Sequence, residues 1–96
     1  MYFILFHSNK PNKKYAAVYI KNNKLKEIHF GDSRYEDYTQ HKDPVRKQRY
    51  INRHKKHEDW SNPFTAGFWS RWLLWNKPTL DASIEDIEKR FNIDIQ

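Results

Sequence analysis

Four Trp, six Tyr and six Phe in a chain of 96 residues constrain its fold more than any other feature. Only 38% of the residues are apolar and 31% are charged. Each large ring nevertheless removes on the order of 150–250 Å² from water, so rings can build a core that sparse aliphatics could not. An equally charged chain without aromatics would be expected to stay disordered. This one is expected to fold, and its length suits a single domain over residues 1–96. A globule of that size buries roughly two thirds of the surface its unfolded chain exposes, enough for one modest core.

Hydrophobic periodicity predicts the elements. Residues 1–30 read as a β-meander with strands at Tyr2–Phe6, Tyr15–Ile20 and Leu25–Phe30, the last placing Ile28 and Phe30 on one face. Lys21-Asn22-Asn23-Lys24 suits a tight hairpin turn, because Asn tolerates positive φ. After Gly31 a polar loop runs through Gln40. A helix is predicted over 43–57: Asp43 can cap it, and Pro44 suits the first turn, where its missing N–H costs nothing. A second helix over 65–75 is apolar nearly all round, which marks it as central. The third, over 80–91, sets Leu80, Ile84, Ile87 and Phe91 on one face, with acids early and bases late to suit the helix dipole. The expected architecture is α+β: a small three-stranded antiparallel sheet packed against two to three helices, the Trp-rich one central.

Composition excludes several classes. Without cysteine there is no disulfide and no zinc-thiolate site. The opening apolar run, Met1–Phe6, lacks a basic flank and a small-residue cleavage site, a poor signal peptide. Phe64–Trp75 is interrupted by Ser70 and Arg71 and falls short of the roughly 20 residues that span a bilayer. A soluble protein is expected, with no membrane partner.

Charge placement is more informative than the net +6. Residues 1–30 hold six Lys against one Glu, whereas residues 61–96 are slightly acidic. Arg46, Arg49, Arg53 and Lys56 recur at helical spacing and form one stripe, while Tyr50, Ile51 and His54 occupy another side. Lys13 and Lys14 add charge near the hairpin. A charged helix face is often merely solvated, but phosphate or an acidic protein surface would suit this one. These six residues are the candidate anion-binding set.

No catalytic constellation stands out. His41-Lys42-Asp43 has the wrong spacing for the HxKxxxxD motif of phospholipase-D-like enzymes, and Asp43 is better used as a cap. His54 and His57, with His41 nearby and Glu58 or Asp59 following, could share a metal, but Arg53, Lys55 and Lys56 would oppose a divalent cation. No serine has a local His and acid, and Gly31 and Gly67 are too isolated for a phosphate loop. Phe68, Trp69, Trp72, Leu73 and Trp75 suit a buried helix better than a base-stacking platform. Neither enzyme activity, nor a cofactor, nor a metal is expected.

The blocks HFGDSRYEDYTQHKDPVRKQRYINRH (His29–His54) and TAGFWSRWLLWNKPTLDASIEDIEKRF (Thr65–Phe91) resemble a group of small uncharacterised proteins encoded chiefly by large nucleocytoplasmic DNA viruses of algae and protists. The strings FGDSRYEDYTQHKD and RWLLWNKPTL carry the resemblance; the first 28 residues share it loosely, through Lys13-Lys14-Tyr15. The group has no established activity, so no functional residue carries over. The resemblance implies a viral context, hence either a virion component or a protein handling viral nucleic acid inside the infected cell. The expected function is a non-catalytic basic module binding nucleic acid mainly through phosphates. The alternative is a minor capsid or cement protein whose basic face meets acidic capsid subunits.

Overall fold

The computed structural model describes all of residues 1–96. Strands β1 (Tyr2–His7), β2 (Lys13–Lys21) and β3 (Lys24–Asp32) form the expected antiparallel meander. Asn22 and Asn23 both take positive φ, 53° and 62°, the backbone of a two-residue hairpin turn matched to strand twist. Lys21 and Lys24 close its register.

The sheet nevertheless has four strands, not three, and is mixed rather than antiparallel. Its order is β3-β2-β1-β4, and β4 (Asp94–Ile95) runs parallel to β1. Asn92 explains the return: at φ 54° and ψ 49° it ends the preceding helix in the left-handed conformation. The chain then lies along the open edge of β1. There Asp94 N–H donates to the Met1 carbonyl (2.8 Å), Leu5 N–H to Gln96 (2.9 Å) and Gln96 N–H to Phe3 (3.0 Å). Two residues are too short for any periodicity to reveal.

The chain has four helices, where two to three were expected. The additional one is α1 (Tyr38–His41), inside the segment read as loop; Asp37 and Gln40 close a capping box around its first turn. Helix α2 (Pro44–His54) starts as predicted, with Asp43 accepting from Val45 N–H at 2.9 Å, but ends three residues before 57. Helix α3 (Ala66–Trp69) is capped by Thr65 and continues as a π-helical segment, Ser70–Leu74, in which Trp75 N–H reaches back to Ser70 at 3.1 Å. Such a segment inserts one residue into a helix and is often found at functional sites. Helix α4 (Leu80–Phe91) matches its prediction, with Thr79 as the cap.

The Trp-rich segment is central. Phe3, Ala17 and Phe30 of the sheet meet Phe68, Trp69, Leu73 and Leu74, with Ile87 and Ile93 closing the cluster. The indole N–H of Trp69 donates to Pro63 at 2.8 Å, so burying that ring leaves no donor unpaired. Trp72 and Trp75 are only half-buried. The guanidinium groups of Arg71 and Arg90 lie 4.4 and 4.5 Å from the Trp72 ring. No helix is long and apolar enough to cross a membrane.

Candidate functional site

Helix α2 is held by its inner face, which leaves the basic face outward. Tyr50 is 7% exposed and stacks on Trp75. Lys47 reaches inward to the Asn76 carbonyl (2.7 Å) and over the Tyr38 ring, and its partial burial, then Arg71, depresses its pKa. With Tyr50 and Lys47 turned in, Arg46, Arg49 and Arg53 are all exposed. Lys56 lies beyond the helix end, in a tighter turn where His57 N–H donates to His54 at 3.0 Å. Arg46 has a loose partner, Glu36 at 3.6 Å. Arg49, Arg53 and Lys56 have no carboxylate within ion-pair distance.

Lys13 and Lys14 part company. Lys13 is exposed at the start of β2. The Lys14 ammonium donates to Asp37 (2.6 Å) and to Gln40 (2.7 Å), and both ionic side chains are largely buried. Lys14 thereby ties the start of α1 to the sheet.

The three histidines weighed as metal ligands are separated by that packing. His54 stacks on Tyr50 (4.4 Å), His41 packs on Trp75 (5.3 Å), and His57 is exposed in the turn. No three His, Asp or Glu residues gather as a ligand set.

Beside the stripe lies a cleft of about 410 Å³, between the end of β3, α2 and the start of α3. Arg53 and Lys13 stand on it, so the stripe leads into it. Its walls include the only two glycines of the chain. Gly31 has φ +80°, and a Cβ there would meet Leu74 at 2.7 Å. At Gly67 a Cβ would fall inside the Glu58 carboxylate, so Glu58 lies in the wall because Gly67 has no side chain. Glu58, not singled out for this cleft by the sequence, has no hydrogen-bond or ion-pair partner, whereas Asp32 is bound by Arg34 (2.9 Å) and Asp37 by Lys14. Burial pushes the Tyr50 phenol up and the His54 imidazole down. The isolated glycines were the available signal, but only the fold places Glu58 against Gly67.

Comparison with known proteins adds one finding. Residues 4–54 match the model of a family described as "Family of unknown function (DUF5754)". The chain belongs to that family. The family span runs from β1 to the end of α2 and contains Lys13, Lys14, Asp37 and the three arginines. It enters the N-terminal region, where the sequence resemblance was loose, and stops before the second block, Thr65–Phe91. Lys56, Glu58 and Gly67 lie outside it. No curated protein and no solved structure matches the chain.

Proposed function

We propose that the chain is a non-catalytic basic module of a large DNA virus that contacts nucleic acid mainly through phosphates, using α2 and Lys13. The observation that carries this reading is the freedom of the charges: Arg49, Arg53, Lys56 and Lys13 are exposed and unpaired, and no acidic residue occurs from Pro44 to His57. A guanidinium presents a planar fork of donors that suits phosphate oxygens. From Arg46 to Arg53 the helix rises roughly 10 Å, enough to follow neighbouring phosphates of one strand. The viral setting rests on the resemblance of the two sequence blocks.

Each neutralised phosphate releases condensed counterion, so log K should fall with log salt by about 0.9 per contact on duplex DNA. Arg46→Gln/Arg49→Gln/Arg53→Gln, compared with wild type at several salt concentrations, tests the reading. The variant should bind more weakly, with a slope shallower by about 2.7. Unchanged affinity and slope would mean that the stripe is only a solvated face.

The outer face of the sheet favours a second reading, a structural protein of the virion. Tyr2, Phe6, Ile20 and Leu25 are exposed at 48, 53, 72 and 64%, more apolar surface than a face meeting only water needs. A protein in that role remains with the capsid after nuclease treatment, whereas a genome-bound one is released.

A further inference from the structure

We propose that the cleft beside α2 is a base pocket that seats a guanine nucleotide, its phosphate between Lys13 and Arg53 and the Watson–Crick edge of its base on the Glu58 carboxylate; this rests on the phosphate-binding reading above and adds a base to it.

The charges left over in the cleft choose the ligand. Asp32, Glu36 and Asp37 are paired with Arg34, Arg46 and Lys14 at 2.9, 3.6 and 2.6 Å. Glu58, Lys13 and Arg53 have no such partner. A ligand that satisfies all three carries an anionic group together with N–H donors, which is the chemistry of a nucleotide. A carboxylate only accepts hydrogen bonds, through two oxygens side by side. Guanine alone among the common bases offers two adjacent donors on its Watson–Crick edge, N1–H and N2–H. Adenine and cytosine set a ring-nitrogen acceptor beside their amine, which the second carboxylate oxygen repels. Uracil and thymine flank one N–H with two carbonyls.

The site also has the right form. At about 410 Å³ it falls within the roughly 300–1,000 Å³ of small-molecule sites. The exposed Tyr35 and the half-buried Trp75 supply apolar wall for a base, over a floor that rests on the core residues Phe30 and Leu74. Unstacked bases of single strands are commonly read this way, splayed into a pocket and bonded on the Watson–Crick edge. The stripe on α2 would deliver such a strand, because Arg53 belongs to both stripe and cleft.

The test uses two single strands, one all dA and the other identical except for one central dG, titrated by fluorescence anisotropy at fixed low salt. Wild type is expected to favour the dG strand by about tenfold or more. Glu58→Gln keeps the shape but replaces one acceptor by a donor, and should abolish the preference without weakening binding of the dA strand, which loses a repelling carboxylate. Gly67→Ala is the second variant. It sits in the first turn of α3, where Ala suits a helix, and its methyl group would push the flexible Glu58 side chain aside without unfolding the chain. It too should bind both strands equally, with an undiminished melting temperature. Equal binding of both strands by wild type, or a preference surviving both variants, would overturn the pocket and leave phosphate binding standing. If neither strand bound, the phosphate reading would fail first and the pocket with it.

Discussion

Tyr50 of α2 lies flat against Trp75, their ring centroids 4.5 Å apart and their planes 2° from parallel. This stack fastens the basic helix to the end of the π-helical segment, with His41 on Trp75 and His54 on Tyr50 extending it. Tyr50→Ala should therefore cost about 3–5 kcal/mol of stability, a large part of what a domain of this size has. Arg49→Ala, on the exposed face, should stay within about 0.5 kcal/mol. Urea unfolding of the two variants checks the contrast, and equal losses would contradict the inward role of Tyr50.

Asp37 holds the Lys14 ammonium and also caps α1, accepting from Thr39 N–H at 2.9 Å. Asp37→Ala removes the cap and leaves a largely buried cation without its partner, and about 3–5 kcal/mol should be lost. Lys13→Ala, one residue from Lys14 but exposed, should be close to neutral in stability while weakening nucleic-acid binding. A Lys13 variant as unstable as the Asp37 variant would refute this division of roles.

The two glycines should respond in opposite ways to alanine. Gly31→Ala places a Cβ in the left-handed region, 2.7 Å from Leu74 and 3.3 Å from Lys14, and should destabilise by about 1–3 kcal/mol. Gly67→Ala meets only the movable end of Glu58 and should leave the melting temperature unchanged or raised. Calorimetry of both variants measures the difference directly.

Stability should fall on mild acidification. Burial lowers the pKa of His41 and His54 below 6.5, with Arg46 and Arg53 acting in the same direction. The unfolded chain then binds protons more readily than the folded one, so stability rises with pH across the window below 6.5 and levels off above it. Unfolding free energies from about pH 7.5 to about pH 5.5 should show this decline. His41→Gln/His54→Gln should flatten it. A decline unchanged in the double variant would place its source elsewhere.

Local signals in the sequence determined much of this protein. Asn22-Asn23 sets the hairpin, Asp43-Pro44 starts α2, and the spacing of Leu80, Ile84, Ile87 and Phe91 produces α4, because each acts within a few residues of chain. The exposure of Arg46, Arg49 and Arg53 was legible for the same reason: a helix with Tyr50 turned inward turns its arginines outward. Tertiary structure alone decided what depends on distant segments. The parallel pairing of Asp94–Ile95 with β1 needed the edge of a strand more than 90 residues away in the chain. Lys14 is tied to Asp37, 23 residues on, and Lys13 is not, a difference that only the packing of α1 against β2 creates. The cleft exists where β3, α2 and α3 converge, and Glu58 lies in its wall because Gly67, nine residues on, leaves room for its carboxylate.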